Sequence, residues 1–183
     1  MKSLFSNAIQ LLLVLGVVLS AGPACWSQKR QFQFEQFPVN VYQGPIKIPQ
    51  GLQKGDDGIW RDDLGKWVAD LEVTYAGEYY LAGHSCGALC RYYQLVNLRT
   101  GVDMPEINMF ACAEPRPLTK KGHSYITHLF YQPDSRLLIA EYHLDFEDPN
   151  RPETCRQRYF VLENGKLRPI SKTFLFCTEE DEQ

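Results

Sequence analysis

Nowhere does this chain hold an apolar run of the roughly 20 residues that a membrane-spanning helix needs, a surplus of positive charge, or more than one stretch with helical periodicity. The first absence excludes a transmembrane segment. The second, with 19 basic against 22 acidic residues, argues against a nucleic-acid partner. The densest positive clusters, Lys120-Lys121 and Arg156-Gln157-Arg158, fit solvated faces of turns and strands. The third absence leaves a chain built mainly of strands.

The longest apolar run that is present, Ile9 to Leu19 broken only by Gln10, follows Lys2 and precedes the small residues Ser20, Ala21, Gly22 and Ala24. This is the pattern of a secretory signal peptide over residues 1–24, and it predicts export to the periplasm or the extracellular space. Cleavage after Ala24 makes Cys25 the first mature residue, which raises lipidation and a membrane-anchored lipoprotein as the alternative. Gly22 and Pro23 make a poor lipidation signal, so a soluble exported protein is the expectation. Loss of Lys2 with the signal leaves 18 basic against 22 acidic residues, a net charge near −4.

About 160 mature residues predict one domain. Residues 25–57 read as an extended arm, with Pro38, Pro45 and Pro49 opposing regular structure and Phe32, Phe34 and Phe37 available to pin it down. Residues 58–177 read as a β-rich domain, and 178–183 as an acidic disordered tail. Trp60, Leu64, Trp67, Val68 and Leu71 fall at i, i+4, i+7, i+8 and i+11, which predicts a helix capped by Asp56 or Asp57.

From Tyr75 onward, short aromatic and β-branched runs alternate with turn residues. They predict strands at Glu78 to Ala82, Arg91 to Leu98, Ile107 to Cys112, Tyr125 to Tyr131, Arg136 to His143, Arg156 to Glu163 and Lys166 to Phe176. Asn164-Gly165 supplies the positive φ angles of a two-residue hairpin. Arg99-Thr100-Gly101 and Pro133-Asp134-Ser135 suit further turns. The fold class is therefore mainly β, at the margin of α+β: an antiparallel meander with one packed amphipathic helix, stapled by disulfides.

Cysteines stand at 25, 86, 90, 112, 155 and 177, and export predicts that most are paired. Cys86 and Cys90 can pair only if the chain reverses between them, because four extended residues separate Cα atoms by roughly 13 Å against a limit near 7 Å. Gly87 permits that turn. Cys112, Cys155, Cys177 and, if unmodified, Cys25 are left in undetermined pairs.

The same turn spells Gly83-His84-Ser85-Cys86-Gly87, the G-x-S-x-G of a lipase nucleophile. Ser85 with His123, His128 or His143, and Asp103 or Asp134 between, can be arranged as a serine hydrolase. The α/β-hydrolase fold that carries this motif needs a helix directly after the nucleophile turn, whereas Arg91 to Val96 reads as a strand. His84-x-Cys86-x3-Cys90 could ligate zinc or copper, but disulfide formation takes precedence in an exported chain, so no metal and no cofactor is expected. Asp145, Glu147 and Asp148 beside Pro149 read as a solvated loop rather than a glycosidase pair.

The succession Tyr75-Ala76-Gly77-Glu78-Tyr79-Tyr80-Leu81, Cys86-Gly87-Ala88-Leu89-Cys90, Leu95-Val96-Asn97-Leu98-Arg99-Thr100-Gly101 and Asp134-Ser135-Arg136-Leu137-Leu138-Ile139 resembles a group of small exported bacterial proteins of unknown function. That resemblance implies the β-fold and the Cys86 to Cys90 link, and no reaction. His84-Ser85 stands where the group tends to carry Trp-Gly, so the lipase-like spelling falls on substituted positions. Two expectations follow. The first is a non-catalytic binding or inhibitory module for an envelope or secreted protein; the alternative is a small serine hydrolase using Ser85.

Overall fold

Alternation of apolar residues along β-strands decides how this chain is layered. The computed structural model describes residues 31–173 apart from 89, 113 and 114. Strands are β1 (Gln53–Lys54), β2 (Trp60–Arg61), β3 (Tyr79–Gly87), β4 (Cys90–Asn97), β5 (Val102–Asp103), β6 (Tyr125–Tyr131), β7 (Leu137–Leu144), β8 (Thr154–Glu163) and β9 (Lys166–Pro169). They form an antiparallel β1-β2 hairpin, a three-stranded sheet β3-β4-β5 and a four-stranded sheet β6-β7-β8-β9, each a meander in chain order. Among the described residues no helix is long and apolar enough to cross a membrane.

Successive side chains point to opposite faces of a strand, so each sheet has two faces to cover. Leu81, Tyr93 and Leu95 of the smaller sheet meet Leu138, Ala140, Phe160 and Leu162 of the larger one in the central core. The opposite face of the larger sheet, with Leu137, Ile139, Tyr159 and Val161, is covered by Phe32, Phe34 and Phe37 of the N-terminal arm. Tyr80 and Ala82, on the outer face of the smaller sheet, pack with Leu52, Val68 and Leu98. Residues 31–73 thus cover much of the apolar part of both outer faces. The β1-β2 hairpin spans the expected arm boundary at residue 57, so the arm joins the domain there by strand pairing.

The Asn164-Gly165 turn forms as its residues dictate, with φ of 49° and 70°. Gly101, at φ 78°, closes β4 onto β5, and Pro133-Asp134 lies between β6 and β7.

The amphipathic periodicity over 60–71 does not produce a helix. Asp62 Oδ1 accepts the backbone N–H groups of Leu64 at 2.9 Å and Lys66 at 2.8 Å. A short polar side chain that captures nearby amides competes with the helical ladder, and Gly65 at φ 70° completes the reversal. Leu64 and Trp67 consequently face solvent, Trp67 with 79 % of its surface exposed. Asp57 is no cap: it pairs with Arg61 at 2.6 Å.

Helical turns pack into the core elsewhere, as the 3-10 helices Phe34–Gln36 and Pro105–Phe110, the second where a strand over Ile107 to Cys112 was expected. Pro105 lacks the N–H a strand would use and presets a helical φ at the first position. Ile107 and Phe110, three residues apart, share its buried face. The last strand stops at Pro169, short of the expected end at Phe176, which lies outside the described residues.

Cys86 and Cys90 are bonded, with Cα atoms 5.0 Å apart across the reversal between β3 and β4. Cys112 corrects the expectation that it is paired: it is a buried free thiol. Its Sγ accepts the Thr127 amide at 3.2 Å and lies 3.7 Å from the Phe110 carbonyl, so the thiol is held by hydrogen-bond contacts rather than by a bridge. Cys155 is disulfide-bonded. Cys25, Cys177, the signal segment and the acidic tail lie outside the described residues.

Candidate functional site

The turn that replaces the expected helix delivers Asp62 to the outer face of the three-stranded sheet. There β3 and β4 place His84 directly opposite Tyr92. The two rings stack at 4.7 Å between centroids and 11° between planes. His84 Nδ1 lies 3.2 Å from Asp62 Oδ2, and the Tyr92 hydroxyl donates to the same oxygen at 3.4 Å. Both His84 and Asp62 are buried, with side chains 2 % and 3 % exposed.

Burial raises the Asp62 carboxyl, but the Lys66 amide, His84 and the Leu64 amide together outweigh it and hold the group below its ordinary value. Asp62 is therefore a carboxylate, able only to accept, and the Nδ1–H tautomer of His84 follows from that contact. Burial and then the charge of Asp62 push the Tyr92 phenol upward, so Tyr92 remains a donor.

The other ring nitrogen is the informative one. His84 Nε2 is buried and has no hydrogen-bond partner. Among the described residues Arg158 Nε is the one other such side-chain atom, and its guanidinium sits over the Phe160 ring at 5.2 Å. His84 and Tyr92 line a cavity of about 340 Å³ whose wall also carries Asp62, Asp63, Asp103, Gln50, Gln94 and Asn108, with Leu52, Leu95, Met104 and Ile107 as apolar surface. Among the described residues no lysine or arginine lines it. The wall thus combines carboxylates and amides with the His84 and Tyr92 rings around an apolar floor, a composition suited to a small ligand.

Ser85 lies on the opposite face of β3 from His84, as alternation requires. Its hydroxyl donates to the Gly87 carbonyl at 3.5 Å. It shares a cavity of about 300 Å³ with Arg91, Cys112, Thr127, His128 and Glu147, yet no hydrogen bond joins it to His128. His123 Nδ1 is held by Asp145 Oδ2 at 2.6 Å, and Arg151 reaches Asp145 Oδ1 at 3.4 Å. His123 first, against the opposing effect of burial, holds the Asp145 carboxyl below its ordinary value. Asp145 is therefore buried and engaged, which corrects its reading as a solvated loop residue. These bonds clamp the segments around 116–123 and 145–151 together, aided by Arg116 donating to the Phe146 carbonyl at 3.0 Å.

His128 and His143 lie on the outer face of the four-stranded sheet, their rings 4.8 Å apart. Burial, then Arg91 and His143, depress His128. His143 is raised by Glu141 and, against burial, by Glu153, whose Oε1 is 2.7 Å from Nδ1. The structure thus assembles three histidine–carboxylate pairs on separate faces and none at Ser85. Sequence reasoning missed Asp62 because its helical context hid it, and missed the pairing with His84 because 22 residues separate them.

Among the described residues one group could ligate a metal: Glu141, His143 and Cys155, with one donor atom from each lying within 4.8 Å of the others. The His84, Cys86, Cys90 set does not assemble, since the two sulfurs are bonded to each other. Comparison with protein-family models, with curated proteins and with solved structures gives no match.

Proposed function

We propose that this chain is an exported, non-catalytic binding module, periplasmic or secreted, whose recognition element is the cavity at His84. The resemblance to small exported bacterial proteins and the Cys86–Cys90 bond support the compartment. The single observation that carries the binding reading is the buried Nε2 of His84, a polar atom that costs free energy until a ligand donor meets it. Asp62 takes the Nδ1–H, so in the neutral ring Nε2 carries the lone pair. The ligand is therefore a hydrogen-bond donor. With Asp62, Asp63 and Asp103 in the wall and no lysine or arginine among its described residues, it is cationic or neutral rather than anionic. A primary amine, free or on a segment of an envelope protein, has this chemistry.

NMR of the imidazole C–H groups tests the reading directly. Primary amines, neutral polyols and small carboxylates are titrated into the full mature chain. Saturable shifts of the His84 resonances by amines or polyols, lost in His84→Gln, are expected; carboxylates leave them unmoved. Equal binding by His84→Gln, or no shift by any of the three classes, overturns the assignment.

A further inference from the structure

The outer face of the four-stranded sheet carries polar chemistry where the aromatic arm ends. Glu141 and Gln157 are directly opposed across β7 and β8, as are His143 and Cys155, so all four side chains share one face. We propose that Glu141, His143 and Cys155 form a zinc site that is closed while Cys155 is in its disulfide and opens for metal when that bond is reduced.

Three observations carry this. His143 Nδ1 is engaged by Glu153 Oε1 at 2.7 Å, the carboxylate–histidine arrangement that leaves Nε2 as the metal-facing atom. That Nε2 lies 3.8 Å from Glu141 Oε2. The gap is too long for a hydrogen bond. It is close to the spacing of about 3.5 Å that two ligand atoms take on one tetrahedral zinc with bonds near 2.1 Å. Finally, Glu141 is itself oriented: Gln157 Nε2 donates to its Oε1 at 2.7 Å, and the Tyr159 hydroxyl donates to Gln157 Oε1. Both candidate ligands thus have a second layer of hydrogen bonds, and Glu141 is buried.

The third donor sets the switch. A disulfide sulfur is uncharged and a poor ligand, whereas the thiolate is a strong one. Cys155 is disulfide-bonded, so the set is then limited to Glu141 and His143. A dithiol reductant attacks the disulfide, forms a mixed disulfide and closes its own disulfide. Two electrons and two protons pass to the chain, leaving Cys155 and its former partner as thiols. On zinc binding the Cys155 thiol releases its proton to solvent and the sulfur–zinc bond forms. One carboxylate, one imidazole and one thiolate leave the fourth position to water.

Zinc affinity of the full mature chain, measured by competition with a chromophoric chelator before and after dithiothreitol, tests this. A Cys86→Ser/Cys90→Ser background keeps the thiols of that turn out of the measurement. One equivalent of zinc bound at least 100-fold more tightly after reduction is expected, with Cys155→Ser and His143→Ala falling to the oxidised level and Cys112→Ser unchanged. Equal affinity in both redox states overturns the proposal, as does full retention by reduced His143→Ala. Cobalt titration of the reduced wild-type chain does not depend on variants folding: absence of a sulfur-to-cobalt charge-transfer band refutes the site, and in the Cys86→Ser/Cys90→Ser background the band must appear within one equivalent and vanish with zinc.

Discussion

Ser135 Oγ donates to the carbonyl oxygen of Phe34 at 2.7 Å, joining two residues 101 positions apart. Ser135 Oγ in turn accepts the Leu137 amide at 3.2 Å, and Ser135 is buried. One hydroxyl therefore fixes both the aromatic arm and the start of β7. Ser135→Ala leaves a buried donor and a buried acceptor without this partner, and a loss of about 1–3 kcal/mol is expected. Urea unfolding of the two chains, compared at equal m, measures it.

A second fastening point lies at Gly77, which holds φ of 81° and whose carbonyl accepts the Tyr42 amide. A Cβ there would meet the Asn40 carbonyl oxygen at 2.6 Å, a backbone atom that cannot swing aside. Gly77→Ala should cost more than about 2 kcal/mol, from left-handed strain and steric conflict together. Gly122→Ala is the control: its φ is 78°, but nothing lies within 4 Å of the added Cβ, so its loss should be distinctly smaller. Equal losses at both glycines would remove the packing part of the argument.

The strands were legible because alternation and turn chemistry are local. Tyr125–Tyr131 and the Asn164-Gly165 hairpin needed only their own residues. The segment 60–71 misled because its periodicity counts apolar side chains and ignores what Asp62 does to the backbone amides of Leu64 and Lys66. Ile107 to Cys112 misled for the converse reason, since β-branched and aromatic content outweighed Pro105. The candidate site was scarcely legible. Asp62 with His84, and His143 with Glu153, are brought together by the reversals between strands rather than by sequence spacing.

The Cys86–Cys90 bridge closes a loop of five residues, for which the chain-entropy relation gives about 2 kcal/mol at 25 °C. Cys86→Ser/Cys90→Ser should lower the thermal midpoint while leaving the far-ultraviolet circular dichroism spectrum intact, since β3 and β4 remain paired from Tyr79 to Ser85. An unchanged midpoint in calorimetry would show that the bridge constrains nothing the strands do not already fix.

Acid stability should depend on Asp62. Its carboxyl is held below its ordinary value in the folded chain, with amide and imidazole contacts overcoming burial. A depressed folded value means that the unfolded chain binds its proton first as pH falls. The stabilisation is then fully present above the unfolded value of about 3.9, and is lost progressively as pH falls through the lower folded value. Asp57 and Asp145 are shifted in the same direction and act in the same window, so wild-type acid unfolding sums several carboxylates. Asp62→Asn isolates one contribution. At pH 7 the variant should be less stable by about 1–3 kcal/mol, because Asn replaces an ionised acceptor for two amides, His84 and Tyr92. The difference from wild type should shrink steadily below pH 4, as the wild-type carboxylate gains its proton. Denaturant unfolding at a series of pH values for both chains gives the two curves. Parallel curves across the acid range would mean that Asp62 has the same proton affinity folded and unfolded, and that its hold on His84 is not that of a carboxylate.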